Sequence, residues 1–127
     1  MRSKSFQVNA DTDVHVLLNH ITFLVHQNVS NPIIETEICT IVSELAYNII
    51  KYGDKGDITI TLTTNECLIS ARDSGGGMLM PIEQAFVEGN SSSGSLGLGM
   101  SSIVRMSDDF ELVTSSSGTT ITCTKRY

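Results

Sequence analysis

Two glycine clusters in the second half of the chain constrain its fold more than any other feature. They read Asp-Ser-Gly-Gly-Gly at residues 73–77 and Gly-Ser-Leu-Gly-Leu-Gly at residues 94–99. Because glycine has no Cβ atom, the backbone can come close to a ligand there, and consecutive free amide groups form a cradle for an anion such as phosphate. The first cluster follows an apolar strand. The second opens a predicted helix over residues 100–106, whose N-terminal end favours negative charge. Together the clusters predict a nucleotide pocket.

Length and composition predict a single domain over residues 1–127. The chain is 40% hydrophobic and 17% charged, which is ordinary for a globular protein. Its net charge is −6 and its Lys and Arg residues are scattered, so it lacks the basic patch that nucleic-acid binding requires. The start of the chain has no apolar leader, and no segment approaches the length of a membrane span. We therefore expect a cytosolic protein that binds neither nucleic acid nor a membrane.

The cysteine pattern predicts buried, reduced thiols. The cysteines are odd in number, widely spaced and embedded in apolar segments: Cys39, Cys67 and Cys123. Such a pattern fits neither a disulfide framework nor a zinc site.

Apolar spacing in the first half predicts a short strand over residues 4–8 and then two helices. Asp11 is predicted to cap the first helix, and Pro32 to begin the second. The second helix carries an apolar stripe at helical spacing, made of Ile34, Ile38, Ile41, Val42, Leu45 and Ile49. Glu44 and Asn48 are four residues apart, so they lie together beside this stripe and line a half-buried cavity.

Alternating apolar residues in the rest of the chain predict four further strands. The second of these four strands ends at Asp73, which therefore lies at a strand tip. A short helical turn is predicted from Pro81, and residues 88–95 have the composition of a mobile loop, a candidate lid. The last two strands are predicted at about residues 109–114 and 118–125. This order predicts an α/β (α+β) two-layer sandwich, with helices on one face of a largely antiparallel sheet.

Four segments resemble, in order, the ATP-site motifs of a known superfamily. They are Glu-Leu-Ala-Tyr-Asn at residues 44–48, the two glycine clusters at 73–77 and 94–99, and Gly-Thr-Thr at 118–120. With the predicted secondary structure under each, they resemble the gyrase, Hsp90, histidine kinase and MutL (GHKL) superfamily. The resemblance implies a Bergerat-type ATP-binding fold, whose mixed, mostly antiparallel sheet is covered on one face by helices.

Within that superfamily the chain most resembles the small anti-sigma-factor and stressosome serine/threonine kinases of the RsbT and SpoIIAB type. Residues 43–52 and the single-domain length support this resemblance. It implies an enzyme that uses ATP and Mg²⁺ to phosphorylate a STAS-domain partner in control of a sigma factor or stress response. The alternatives are a nucleotide-gated binding module, which sequesters a sigma factor or activates a PP2C-type phosphatase, and an excised histidine kinase catalytic domain.

The resemblance also implies roles for residues around the adenine base. Asp73 accepts a hydrogen bond from the adenine amino group, for which an acceptor-only carboxylate is suited. Gly75 and Gly77 let the backbone lie close under the nucleotide. Thr119 supplies a further adenine-side contact and is favoured over Thr120, because it shares a strand face with inward apolar residues.

At the phosphates, the resemblance implies that Asn48 coordinates Mg²⁺ and that Glu44 acts as the general base. From the residues alone, both also fit an ordinary helix surface. Lys51 continues the same helix edge, where it either contacts phosphate or is solvated. The second glycine cluster supplies the lid hinge and phosphate cradle, with amide donors at the predicted helix start: Gly94, Gly97, Leu98 and Gly99.

Overall fold

In a computed structural model, the described part of the chain forms a five-stranded sheet and three helices. The structure describes residues 2–52, 55–74 and 94–127. In chain order the elements are β1 (Arg2–Val8), α1 (Asp11–Asn28), α2 (Pro32–Tyr52), β2 (Gly56–Leu62), β3 (Glu66–Asp73), α3 (Gly94–Met106), β4 (Asp109–Ser115) and β5 (Gly118–Arg126). The predicted order of strands and helices is confirmed. The predicted turn from Pro81 and the loop over residues 88–93 lie outside the described residues.

The sheet is antiparallel throughout, in the order β1-β2-β3-β5-β4. Its register places one residue from each strand in a row at one end of the sheet, which we call the end row. From β1 to β4 the end row is Val8, Gly56, Asp73, Thr119 and Thr114. The row lies on the face of the sheet that the helices cover.

The opposite face of the sheet is open and rich in hydroxyl groups. On the two strands at one edge, Ser5 and Thr59 share a hydrogen bond of 2.7 Å, and Ser3 and Thr61 share one of 3.1 Å. These polar cross-strand pairs confirm that the helices occupy one face only, as the two-layer sandwich requires.

The core lies between the sheet and the helices. Fully buried side chains line the inner face of α2 and meet the inner residues of the central strands: Ile38, Ile41, Leu45, Ile49, Ile58, Ile60, Ile69 and Ile121. The predicted apolar stripe of α2 is thus confirmed, although Ile34 at its N-terminal end is only partly buried. None of the described helices is long and apolar enough to cross a membrane. The cytosolic location stays a prediction.

The first helix begins differently from the prediction. Asp11 is its first residue rather than its cap, and Ala10 holds the extended position before it. The carboxylate of Asp13 instead accepts hydrogen bonds from the backbone N–H groups of Asn9 and Ala10, at 2.9 and 3.1 Å. A carboxylate at the third helical position can reach back to these donors, which is why Asp13 rather than Asp11 supplies the capping side chain. The predicted start of α2 at Pro32 is confirmed.

The third helix is longer than predicted. It begins at Gly94 rather than Met100 and so includes the whole second glycine cluster. Glycine is unfavourable in a helix by about 1 kcal/mol per residue relative to alanine, which is why the sequence favoured a later start. Tertiary contacts outweigh that preference, since Met100 and Ile103 are fully buried in the core.

The three cysteines are free thiols, as predicted. Cys67 and Cys123 are buried, whereas Cys39 is only half-buried and therefore less enclosed than predicted. Burial raises the pKa of Cys67 to about 12 and that of Cys123 to about 11, and it also raises the pKa of Cys39. Removal from water disfavours the thiolate, so these thiols are weak nucleophiles in the folded protein.

Candidate functional site

The candidate site begins at the end row, where the tip of β3 meets the start of β5. Asp73 is the last residue of β3 and pairs in register with Thr119. Both are buried, with exposed fractions of 7% and 3%. Thr120 is only half-buried and lies on the open face of the sheet. The predicted strand-tip position of Asp73 and inward orientation of Thr119 are therefore confirmed, while their contacts to a base stay predictions.

A glycine lies close to the main chain on each side of Asp73. On β5, Gly118 has φ +151°, and a Cβ atom there would strike the carbonyl oxygen of Asp73. On β2, a Cβ atom at Gly56 would lie 2.5 Å from the carbonyl oxygen of Arg72 and 2.7 Å from Cγ2 of Ile49. Only glycine lets these segments approach so closely, and Gly56 brings α2 down onto the end row.

A second hydroxyl group lies next to that of Thr119. Thr114 on β4 is its cross-strand partner, and the two Oγ1 atoms are 2.8 Å apart. Either oxygen is placed to be the donor. Sequence reasoning missed Thr114. The short turn between β4 and β5 sets the register of the two strands, and this register pairs Thr114 with Thr119. The predicted hairpin was therefore the sequence signal that could have identified Thr114.

The side chains of α2 form the second part of the site. Asn48 is 5% exposed, and its Nδ2 atom is buried without a hydrogen-bond partner among the described residues. Glu44, one turn earlier, is half-buried, and Lys51 in the last turn is exposed. These placements confirm the predicted arrangement of Glu44 and Asn48 beside the apolar stripe. Catalysis, metal binding and phosphate contact by the three residues stay predictions.

The chemistry of Asn48 would suit a magnesium ion that takes most of its ligands from a bound phosphate group. Across residues 2–52, 55–74 and 94–127, no group of three or more His, Cys, Asp or Glu side chains is arranged to hold a metal. Asn48 offers a neutral amide oxygen, which suits a hard cation that takes its other ligands from phosphate and water. The buried amide nitrogen is also unfavourable by about 1–3 kcal/mol until it finds an acceptor. A phosphate oxygen or a metal-bound water would supply one.

A cleft of about 520 Å³ opens at this end of the sheet. Its lining combines Gly56, Asp73 and Thr119 of the end row with residues of the open face such as Arg72, Val113 and Thr120, and it includes neither Glu44 nor Asn48. The predicted nucleotide contacts Gly75 and Gly77 follow Asp73 in sequence but lie outside the described residues. The cleft therefore reaches Asp73 from the open face of the sheet, and the cavity predicted beside Glu44 and Asn48 stays a prediction.

The second glycine cluster is placed differently from the prediction. Leu98 and Gly99 were expected at the helix start, but α3 begins at Gly94, so both lie in its second turn. Only the first four N–H groups of a helix lack partners within the helix, and Leu98 and Gly99 lie beyond them. The predicted position of Leu98 and Gly99 at the helix start is therefore wrong, while their contact with phosphate stays a prediction. Gly94 and Gly97 remain at the helix end that can bind an anion.

Comparisons with known proteins agree with this geometry. The family model described as Histidine kinase-, DNA gyrase B-, and HSP90-like ATPase matches residues 33–127. The chain is 37% identical over 82 residues to serine/threonine-protein kinase RsbT of Bacillus subtilis (strain 168), a match that covers 61% of each chain. The chain thus spans less than two thirds of this relative. The predicted resemblance to RsbT-type kinases is confirmed.

Two solved structures share the fold at low sequence identity. One contains the RsbU and RsbW domains of a Mycobacterium tuberculosis protein, with a TM-score of 0.72, 12% identity, and coverage of 99% of this chain and 32% of that one. The other is the SiaB–SiaC complex from Pseudomonas aeruginosa, with a TM-score of 0.69, 12% identity, and coverage of 98% and 88%. Both confirm the predicted two-layer architecture.

Proposed function

The chain belongs to the family of histidine kinase-, DNA gyrase B- and HSP90-like ATPases, and from this premise we propose that it is an ATP-dependent serine/threonine protein kinase. The observation that carries the proposal is the buried carboxylate of Asp73 beside the hydroxyl group of Thr119, within the matched region. The similarity to RsbT, which is named a serine/threonine-protein kinase, supports phosphotransfer to a protein. The resemblance suggests a STAS-domain protein as the substrate.

Asp73 provides the base specificity in this proposal. An ionised carboxylate only accepts hydrogen bonds, so it pairs with the exocyclic amino group of adenine and repels the carbonyl oxygen that guanine has at the same position. Because Asp73 is 7% exposed, water competes little for this contact. A mismatched carbonyl would then be costly, since a buried polar group without a partner keeps its full desolvation penalty.

The phosphates lie between α2 and the start of α3 in this proposal. Asn48 holds Mg²⁺ through its amide oxygen, and the ion neutralises phosphate charge when bound. The amide group of Gly94 donates to phosphate oxygens, Gly97 lies in the same first turn, and the partial positive charge of the helix end adds to the attraction. Lys51, exposed in the last turn of α2, contributes a further positive charge near the phosphates.

Glu44 acts as the general base. The hydroxyl oxygen of a partner serine or threonine attacks the γ-phosphorus, and the bond between that phosphorus and the β,γ-bridging oxygen breaks. The carboxylate of Glu44 takes the hydroxyl proton, and ADP leaves with the bridging oxygen. Positioning and charge neutralisation supply most of the catalysis in such a reaction. Glu44 is half-buried, so it stays reachable by a hydroxyl group that a docked partner presents.

The test is incubation of the protein with γ-labelled ATP and Mg²⁺, with and without STAS-domain proteins encoded nearby. We expect label on a partner serine or threonine. Glu44→Gln should lower the rate by about 100-fold or more, because a positioned general base contributes about 10²–10⁴-fold. Its matched control is Glu111→Gln, an exposed carboxylate on β4. Asp73→Asn should instead abolish ADP binding, measured by calorimetry.

Two outcomes would contradict this proposal. Unchanged transfer by Glu44→Gln would remove the general base from the mechanism. Failure of the wild-type protein to bind ADP would refute the nucleotide site itself.

A second candidate function is a nucleotide-gated binding module, acting on a sigma factor or a PP2C-type phosphatase. Exposed apolar side chains on α1 favour it: Val16 is 55% exposed and Phe23 is 63% exposed. Side chains of this kind, seven residues apart on one helix face, suit contact with a partner protein. If Glu44→Gln still binds the partner with the same nucleotide dependence, and the wild type transfers no phosphate, this second function is the correct one.

A further inference from the structure

We propose that Thr114 is a positioning residue, which orients the hydroxyl hydrogen of Thr119 toward the bound base and so helps the site select adenine. The inference rests on the proposed nucleotide site. It starts from three neighbours in the end row: the carboxylate of Asp73, the buried hydroxyl of Thr119 and the half-buried hydroxyl of Thr114. Thr114 acts only through Thr119 and does not touch the base.

The 2.8 Å hydrogen bond between Thr114 and Thr119 has two possible directions. Each hydroxyl group has one hydrogen to donate. If Thr114 donates, Thr119 keeps its own hydrogen for the cleft. If Thr119 donates, it presents only lone pairs to a ligand. The direction of this one bond therefore decides whether Thr119 acts as a donor or as an acceptor.

The chemistry of the purine edge selects the first direction. Next to the amino group of adenine lies N1, an acceptor without a hydrogen, whereas guanine has an N1–H donor beside its carbonyl oxygen. When Asp73 pairs with the amino group, its row neighbour Thr119 faces N1 directly. N1 needs a donor, so Thr114 must donate to Thr119. Asp73 and Thr119 then form an acceptor–donor pair that matches adenine and mismatches guanine.

Because Thr119 is buried, the direction in which its hydroxyl group points affects the affinity for the base. Thr119 is 3% exposed, so bulk water does little to reorient its hydroxyl group or to replace its partner. Without the hydroxyl at position 114, Thr119 loses the donor that fixes its direction. The loss corresponds to about one net hydrogen bond, which lowers affinity about threefold to tenfold.

The test compares ADP with 1-deaza-ADP, in which a C–H group replaces N1, by titration calorimetry. The wild-type protein should bind ADP about threefold to tenfold more tightly than 1-deaza-ADP. Thr114→Val keeps the shape of the side chain but has no hydroxyl, and it should lower that ratio to below about twofold. Thr114→Ser restores the hydroxyl and should restore the ratio. Thr64→Val, the same substitution at an exposed position outside the cleft, is the matched control.

The ratio separates positioning from general damage, because a merely structural defect would weaken both nucleotides alike. An unchanged ratio in Thr114→Val, or a ratio in Thr114→Ser as low as in Thr114→Val, would overturn the inference. So would equal binding of the two nucleotides by the wild type, which needs no variant. If the wild type binds ADP, the proposed nucleotide site stands whatever the ratios show; if it binds neither nucleotide, both proposals fall.

Discussion

Gly56 sets how closely α2 packs against the sheet, and replacing it with alanine tests that contact. The added Cβ atom would lie 2.5 Å from the carbonyl oxygen of Arg72 and 2.7 Å from Cγ2 of Ile49. Both distances are below the 3.4 Å at which ordinary van der Waals contact begins. The carbonyl belongs to the backbone of a central strand, and Ile49 is buried in the core, so neither can withdraw without moving its element.

The expected cost of Gly56→Ala is about 2 kcal/mol in the free energy of unfolding. Overpacking a well-packed core costs about 1–3 kcal/mol, and the overlap with strand backbone places this site near the upper end. Alanine recovers about 0.5–1 kcal/mol, because glycine loses more conformational freedom on folding. The affinity for ADP should also fall, since Asn48 adjoins Ile49 and moves with it.

A double-mutant cycle with Ile49→Ala locates the cost in this contact. Ile49→Ala alone should cost about 2–5 kcal/mol, as other large-to-small core substitutions do. In the double variant the new methyl group takes part of the vacated space, so the combined cost should fall short of the sum by about 1–2 kcal/mol. Ile41→Ala is the matched control. It is buried on the same helix face about 12 Å away and should add to Gly56→Ala within about 0.5 kcal/mol.

Urea denaturation followed by circular dichroism measures each free energy of unfolding. A cost of Gly56→Ala below about 0.5 kcal/mol would refute the steric reasoning. Strict additivity with Ile49→Ala would show that the cost arises elsewhere.

Three further predictions concern the same fold. Gly118→Ala forces alanine into a backbone conformation that L-residues rarely adopt and places its Cβ atom against the backbone of β3. It should therefore lower the free energy of unfolding by about 2–3 kcal/mol and weaken ADP binding. Ser117→Ala is the control, and equal stability of the two variants would contradict the reasoning. Burial raises the pKa of Cys67 to about 12 and of Cys123 to about 11, so the folded protein keeps these protons when the unfolded chain has lost them. The free energy of unfolding should therefore be at its full value below about pH 9 and fall as pH rises toward 11–12, by up to about 1.4 kcal/mol per pH unit for each thiol. Urea denaturation between pH 7 and about 10.5 should show a smaller slope in the Cys67→Ala, Cys123→Ala double variant, which retains only the raised pKa values of Cys39 and Tyr127. A flat wild-type profile would be inconsistent with the raised pKa values. With Ellman's reagent, the half-buried Cys39 should react first and the two buried thiols only on unfolding, and a single rate for all three would argue against their different burial.

Local patterns were sufficient to predict most of the fold. The apolar stripe of α2 predicted which residues face the core, because helical spacing alone decides which side chains share a face. Strand alternation predicted that Thr119 faces inward and that Thr120 does not. Asp73 was placed at a strand tip because the apolar alternation stops there. Each of these predictions depends on residues within a few positions of one another.

The contacts that complete the site depend on long-range pairing. The pairing of β3 with β5 puts Asp73 beside Thr119, and no local pattern specifies which strands are neighbours. The close approach of Gly56 to Ile49 depends on how α2 docks, which residue types alone do not reveal. The start of α3 at Gly94 was missed because intrinsic propensity disfavours glycine in helices, whereas the packing of the later turns decides the outcome.

The end row also has a consequence for the order in which the protein assembles. The strand pairs β2–β3 and β4–β5 are hairpins, each closed by a short turn, so each can form from neighbouring residues. The seam between β3 and β5 joins Asp73 to Thr119 across 46 positions of the chain, and its closure has a larger entropic cost.

The proposed base contacts of Asp73 and Thr119 therefore require that the two hairpins have docked, and a nucleotide that makes both contacts binds the docked state alone. At a concentration about one hundred times its Kd, such a ligand raises the free energy of any opening that separates the hairpins by about 2.7 kcal/mol. Amide hydrogens along the β3–β5 seam should then exchange more slowly with nucleotide present, to a greater degree than those at the outer edge of β1. A nucleotide bound at the proposed site would thus also stabilise the pairing of the two halves of the sheet.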